Sequence, residues 1–483
     1  MKNISYLDMV QELLSKSEFL QFQKCYNNTV KKSVKILNHR WFNNKTDIYN
    51  AVKSILSQER DLLEPNFSYN WKRYNDVLFA TRKEKLKPSS LWSHYLHQAW
   101  LIYVQEMSAS LSVQMLWVQP WDCVLDMCAA PWWKSIQIAD QLTDWFLISN
   151  EIDSWRKKAL ESNLHRCGIY NVWVIQLDGC IIWDRLPETV DKVLVDAPCS
   201  WEWMQYKSDK KVWQRDEKRS RKLSQLQTQL LISWLKALKV WGELVYSTCT
   251  TNVLENEYVI SEVLKEYWDS IELLNVPLDE KSNWKQDRRW EHLLSIDDSK
   301  KICRLWPHVH QTWWFFISKF KKLKHIWSIY NNQEIRKQEN YQFSDADVWL
   351  KLSDWWIEQD DNISFSISNY TVNALPTKLL QQNFNLYMPN INLWLPLFKI
   401  VKDSRNNANK LIPLRWISQL FWHIANKNVL EIDDNQLKWL MEKKDFNDNR
   451  LKELENKYVL LKWNNIGVWL ISVQKGVWKN KCF

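Results

Sequence analysis

Glycine is almost missing from this chain: 483 residues contain five, Gly168, Gly179, Gly242, Gly467 and Gly476, where about 7% would be ordinary. Turns with positive φ and close backbone approaches normally rely on glycine, so another residue must occupy those positions here. Long apolar runs are missing too. No stretch reaches the roughly 18 residues that cross a bilayer, and the opening MKNISYLDMVQELL has no signal-peptide core, which points to a cytoplasmic protein without a membrane partner. The nine cysteines form no CxxC pair, are odd in number and are scattered, which argues against a disulfide framework and against a metal site. No P-loop and no Ser/His/Asp arrangement stands out.

What is abundant is tryptophan, with 34 residues. Tryptophan and glycine together occupy about 8% of positions, close to the ordinary share of glycine alone. The charge is less unusual: 65 Lys and Arg against 56 Asp and Glu leave +9, which permits a polyanionic partner without requiring one. Two local clusters, Lys207 to Lys222 and Lys319 to Lys324, are dense enough in cations to track a phosphate backbone.

With 46% hydrophobic residues the chain can bury a sizeable core, and its length calls for two or three domains. Between about residues 120 and 320 the runs VLDMC, FLISNE, VIQLD, KVLVDA, ELVYSTC and FFISKF read as strands. Helical patterns lie between them at Lys134 to Leu142, Arg156 to Arg166, Lys222 to Leu238 and Leu254 to Glu266. Near-continuous Val, Ile and Leu strands separated by helices predict a doubly wound, mostly parallel α/β core. Residues 1 to about 90 read as mainly helical and polar, those from about 326 to 410 as Asn-rich and irregular, and the end as β-rich (YVLLKW, VWLISVQ).

The first strand ends in Asp126 and enters CAAPWWKS, Cys128 to Ser135, before a helix. A strand, a tight loop and a helix N-terminus predict free backbone N–H groups facing a ligand. The next three strands end in Asn150 and Glu151, in Asp178 and Gly179, and in Asp196. Four acidic residues at successive strand C-termini mark the edge where open α/β sheets bind ligands, and an acidic residue after the second strand suits ribose hydroxyls. Cys199 and Cys249 end the fourth and fifth strands on the same edge. A pyrimidine C5 becomes nucleophilic once a thiolate adds to C6, and a second thiol can help remove the C5 proton or expel the enzyme.

In order and spacing, these strings resemble the Nop/Sun-type RNA cytosine-5 methyltransferases. The match runs through YVQEMSAS, VLDMCAAPWWKS, SNEID, RCGIYNV, LDG, VLVDAPCSWEWM, LQTQLL, LVYSTCT, ENE and RLWPHVHQTWWFFIS, from Tyr103 to Ser318. The paired DAPCS and STCT cysteines are its most specific part. DNA cytosine methyltransferases use the cysteine of a Pro-Cys pair, so Pro198 and Cys199 alone would mislead.

The resemblance implies a Rossmann-like S-adenosylmethionine-dependent methyltransferase core at residues 91–325, after an accessory RNA-binding region at 1–90. A connecting region at 326–410 would follow, then a small β-rich domain of the PUA type at 411–483. S-adenosylmethionine would be held by Cys128, Ala129, Ala130, Pro131, Trp132, Trp133 and Lys134, with Glu151 on the ribose, Asp178 at the adenine and Asp196 toward the methionine end and the target base. Cys249 would be the nucleophile and Cys199 would assist release. The implied partner is RNA, with small-subunit ribosomal RNA favoured over transfer RNA. The protein is expected to act as a monomer, and His308 and His310 to be structural or RNA-facing.

The family carries glycine where this chain has Trp132, Trp133, Trp201, Trp203, Trp241, Trp313 and Trp314, and also at Trp100, Trp121, Trp145 and Trp183. Overpacking at about ten such sites, at roughly 1 to 3 kcal/mol each, would exceed the roughly 5 to 15 kcal/mol that stabilise a domain. The reading is that most of these letters stand for glycine, from a gene that uses UGA as a glycine codon. Trp306 in RLWPH is the strongest candidate for a true tryptophan. A stacking surface for single-stranded RNA would instead cluster tryptophans near the cationic stretches. If the indoles at positions 132 and 133 are real, the alternative is a non-catalytic RNA-binding factor of ribosome assembly.

Overall fold

The computed structural model describes residues 6–26, 32–37, 54–55, 77–80, 94–99, 101–130, 133–142, 145–184, 186–200, 217–277, 293–310, 312–326, 363–368, 371–376, 395–402, 409–414, 425, 428–442, 446–452, 458–464, 466–474 and 477–479. The chain divides into two compact units, one of Met1–Ser33, Gln105–Ala159 and Val174–Glu334, the other of Val34–Val104, Leu160–Trp173 and Ile335–Phe483.

An eight-stranded sheet has most of its residues in the first unit, the boundary at Val174 falling within one strand. Its strands are β1 (Val124–Asp126), β2 (Leu147–Asn150), β3 (Val172–Ile175), β4 (Val190–Asp196), β5 (Leu238–Thr248), β6 (Ile271–Leu274), β7 (Cys303–Leu305) and β8 (Phe315–Lys322). They lie in the order β7-β8-β5-β4-β1-β2-β3, with β6 also paired to β8. β1 runs parallel to β2 and β4, and β4 parallel to β5. β8 is antiparallel to β5, β6 and β7. This is the Rossmann-like sheet expected from the Val/Ile/Leu runs, and its central strands are covered on both faces, with Val193, Leu194 and Val195 fully buried.

The helices of this region are α1 (Met107–Leu116), α2 (Trp133–Ala139), α3 (Ser154–Arg166), α4 (Glu217–Ala237) and α5 (Glu257–Glu266). The patterns predict the last four within a few residues. One strand differs: β3 ends at Ile175 instead of continuing through VIQLD, because the Leu177 N–H is taken by the Asn150 side chain at 2.9 Å. Asn150 thereby turns the chain where the sheet ladder would have continued.

In the second unit, Ile363–Ser368, Thr371–Pro376, Leu395–Lys402 and Asn409–Pro413 form a four-stranded antiparallel sheet. The irregular reading of 326–410 is therefore corrected for these residues. Ile363, Phe365, Val372 and Ala374 are buried in it. The β-rich end is present as a five-stranded sheet in the order Val429–Ile432, Tyr458–Trp463, Ile466–Gln474, Val477–Lys479, Phe446–Asn447. Its core joins Leu430, Ile432, Leu437, Val459, Leu461 and Trp463. Near the N-terminus, helices Tyr6–Leu13 and Lys16–Tyr26 are followed by strands Lys32–Ile36 and Val77–Ala80. Among the described residues no helix is long and apolar enough to cross a membrane.

The tryptophans divide into two groups. Trp306 packs edge-on to Phe22 with ring centroids 6.1 Å apart, and Trp234 and Trp314 are also buried. Trp117 and Trp241 instead have φ of 53° and 70° and expose 52% and 65% of their surface. Trp117 closes α1 at the left-handed position that glycine usually holds. Overpacking is thus not what these two cost, since both are largely exposed, Trp241 with Lys321 Nζ over its ring; the cost is the left-handed backbone, about 1 to 2 kcal/mol. Gly242, beside Trp241, is a glycine by necessity: a Cβ there would sit 2.9 Å from the Asp191 carbonyl oxygen. Trp100, Trp132, Trp201 and Trp203 lie outside the described residues.

Candidate active site

The strand order turns back between β1 and β4, and the crevice at the carboxyl ends there is where an open α/β sheet takes its ligand. Asp126 ends β1 with its side chain fully buried. Its Oδ2 accepts the Ser135 hydroxyl at 2.6 Å from α2, while Oδ1 has no partner among the described residues. Burial pushes this carboxyl up to about 7, against the Ser135 bond and the Lys134 charge.

Asp196 ends β4. Its Oδ2 meets Lys134 Nζ at 2.5 Å, and its Oδ1 accepts the Ser247 hydroxyl at 2.9 Å, so it is braced between α2 and β5. Glu151 follows β2 and is buried; its Oε2 accepts the Ala130 N–H at 3.3 Å and its Oε1 the Asp153 N–H at 3.0 Å, with Arg156 3.5 Å away. Asp178 is exposed and accepts the Cys180 N–H at 2.9 Å. The Gly179 that follows it lies under Met127, whose Cε would be 1.7 Å from a Cβ there, so a side chain at this position would require Met127 to move.

The loop after β1 departs from expectation. The Ala129 N–H donates to the Asn150 carbonyl at 3.0 Å and that of Ala130 to Glu151, so neither amide is left for a ligand. Among the polar groups at this edge are the carboxylates, including Asp126 Oδ1, which has no partner among the described residues. Burial and the nearby Asp196 and Asp126 charges push the Cys128 thiol well up. Pro131 and Trp132 lie outside the described residues, and Trp133 opens α2.

Cys199 and Cys249 follow β4 and β5, which pair with Asp196 opposite Ser247. Their Sγ atoms are 3.0 Å apart. Cys199 is buried and Cys249 half-buried. Trp314, expected at a position where its indole would intrude, is accommodated and donates Nε1–H to the Cys249 carbonyl at 3.2 Å.

The loop after Cys249 is firmly held. Thr248 Oγ1 donates to Asn256 at 2.6 Å, and Asn256 Nδ2 to the Thr250 carbonyl at 2.9 Å. Arg304 makes a buried two-pronged pair with Glu257, at 2.7 and 2.6 Å, and donates to the Thr251 carbonyl at 2.9 Å. On the far side, Glu106 caps α1 by accepting the Ala109 N–H and also takes the Thr312 hydroxyl at 2.5 Å. Glu106, Gln227, Glu255, Glu257 and Arg304 all stand in the strings QEMSAS, LQTQLL, ENE and RLWPH, yet spacing alone assigns none of them a task.

One sequence expectation changes. The Lys319–Lys324 cluster does not form a free basic surface: Lys319 and Lys322 are buried, paired with Glu243 at 3.0 Å and Glu188 at 2.8 Å. It also lies in and after β8, where Lys319 pairs with Val245 and Lys321 with Glu243 in the middle of β5, away from the strand end that leads to Cys249. The Lys207–Lys222 cluster falls mostly outside the described residues. His310 is buried on the Trp306 backbone, with the Trp306 N–H reaching its Nδ1 at 2.9 Å, which makes it structural. Among the described residues no three His, Cys, Asp or Glu side chains converge as a metal site would require.

Residues 113–321 match the family described as 16S rRNA methyltransferase RsmB/F. Ribosomal RNA small subunit methyltransferase F of Photobacterium profundum is 37% identical over 200 residues, 41% of this chain and 42% of that one. The protein of the same name from Vibrio cholerae strain M66-2 is 31% identical over 287 residues, 54% and 58% of the two chains. The chain thus spans about half the length of these curated relatives. A methyltransferase homolog protein from Pyrococcus horikoshii has a similar solved structure, with TM-score 0.53 and 27% identity over 65% of this chain and 92% of that one. NSun6 from the same organism shares the fold, with TM-score 0.52 and 19% identity over 66% and 98%.

Proposed function

Since residues 113–321 carry a methyltransferase domain of the RsmB/F type, we propose that the protein methylates C5 of a cytosine in RNA, with small-subunit ribosomal RNA as substrate and S-adenosylmethionine as donor. The observation that carries this reading is the pair of thiols 3.0 Å apart at the ends of adjacent parallel strands. When bound, S-adenosylmethionine supplies an electrophilic methyl group. Asp126, Glu151, Asp178 and Asp196 present the carboxylates that suit its ammonium and hydroxyl groups, and the stretch Cys128 to Lys134 is assigned to the same donor.

Cys249 adds as thiolate to C6 of a cytosine lifted from its stack. C5 then takes up the methyl group. Cys199 assists release by accepting the C5 proton while the C5–C6 double bond re-forms and Cys249 departs with its electron pair. The β-rich end, similar in sequence to the PUA type, is assigned to RNA binding. Bisulfite sequencing of host RNA with and without the gene tests the assignment: one small-subunit cytosine should lose its protection when the gene is deleted. Loss of protection in transfer RNA would redirect the substrate, and no change anywhere would overturn the reading.

A further inference from the structure

We propose that Glu255 and Gln227 are positioning residues that hold the Cys199 loop against the Cys249 loop, so that Cys199 reaches the adduct formed by Cys249. The proposal rests on the C5-methylation reading above.

Glu255 lies just before α5 and is fully buried. Its Oε2 accepts the Ser200 N–H at 2.9 Å and Gln227 Nε2–H at 3.2 Å, and its Oε1 accepts Asn252 Nδ2–H at 3.1 Å. Gln227, buried in α4, donates from the same Nε2 to the Pro198 carbonyl at 2.8 Å. The residues on both sides of Cys199 are therefore bonded to one carboxylate and amide, and the remaining donor comes from the Cys249 loop. A second link joins the residues that follow the two cysteines, Ser200 Oγ to Thr250 Oγ1 at 3.1 Å.

The chemistry of this cluster selects a carboxylate. Ser200, Gln227 and Asn252 all present N–H donors, so the group between them must be an acceptor on both oxygens. A glutamine at 255 would turn its NH₂ toward one of these donors. Burying a carboxylate is costly, and hydrogen bonds to the charge offset that cost. A side chain needed only to fill space would be apolar.

The full-length protein carrying Glu255→Gln or Gln227→Leu tests this, beside wild type and Cys199→Ala, with thermal unfolding to establish which variants are folded. Two quantities are read on the same RNA: the Cys249-linked adduct that survives a denaturing gel, and 5-methylcytosine formed per unit time. Adduct formation should persist while the adduct-to-product ratio rises about tenfold, in the direction of Cys199→Ala, as expected from losing one hydrogen bond to a charge. If Glu255→Gln does not fold, Gln227→Leu is read alone, since it leaves the Ser200 and Asn252 donors on the carboxylate. A wild-type ratio in a folded variant overturns the proposal, and so does parallel loss of adduct and product, which is what a merely structural role gives. Absence of product from wild type and of adduct from Cys199→Ala would overturn the underlying methylation reading instead, and would be seen without any change at residue 255.

Discussion

Cys199 Sγ and Cys249 Sγ stand 3.0 Å apart across a sequence separation of 50 residues. Two thiols at this distance can serve one substrate atom pair in turn, the first by addition and the second by release. Cys249→Ser should abolish methylation, because a serine hydroxyl stays protonated where a thiol can ionise. Cys199→Ala should instead accumulate a protein–RNA adduct resistant to denaturation. Normal turnover by either variant in a tritium-release assay would contradict these roles.

The Arg304–Glu257 pair exposes 3% and 0% of its two side chains. Removing one partner strands a buried charge, so Arg304→Met or Glu257→Gln should each destabilise the protein by about 3 to 5 kcal/mol in urea unfolding. Replacing both together, as Arg304→Met with Glu257→Leu, should cost much less than the sum of the two.

Asp126 titrates higher in the folded chain than its ordinary 3.8, reaching about 7. The folded state therefore binds the extra proton between these values. Its contribution to stability is fully present below pH 4 and declines as pH rises toward 7, by on the order of 4 kcal/mol for a group shifted this far. Asp126→Asn should remove this component, so the difference in unfolding free energy between variant and wild type should grow from pH 4 to pH 7 and then level off. A difference independent of pH would show that Asp126 is not protonated in the fold.

Trp117 and Trp241 have left-handed backbones and exposed indoles. Trp117→Gly and Trp241→Gly should each stabilise the protein by about 1 kcal/mol, since they relieve the backbone without emptying the core. Trp306→Gly, at a buried aromatic contact, should cost at least about 3 kcal/mol. In protein from the native host, tryptic mass spectrometry should find glycine at positions 132 and 133; indole mass there in an active enzyme would refute the reassignment.

The succession of β1 to β5 is legible because each strand carries a Val/Ile/Leu-rich run, with an acidic or thiol residue at its end or within the few residues that follow. The brace behind them is not legible: Glu255, Gln227 and Arg304 act through loops distant in sequence, and no spacing announces which loop a lone side chain will reach. Charge misled for the same reason. Lys319 and Lys322 read as a basic surface because their partners, Glu243 and Glu188, lie far back in the chain. The sheet at 363–413 was hidden by the asparagine-rich stretches around its short strands, and Trp117 became recognisable as a glycine position only through its φ.

β5 is an eleven-residue strand whose outer edge is covered by β8. In a growing polypeptide, the run from β1 to β5 leaves the ribosome well before Phe315 does. Until then the longest strand of the sheet carries an open row of backbone donors and acceptors, a template for pairing with another chain. Translation products that stop short of residue 315 should therefore clump rather than persist as smaller soluble domains, and quality control during synthesis bears most heavily on that interval.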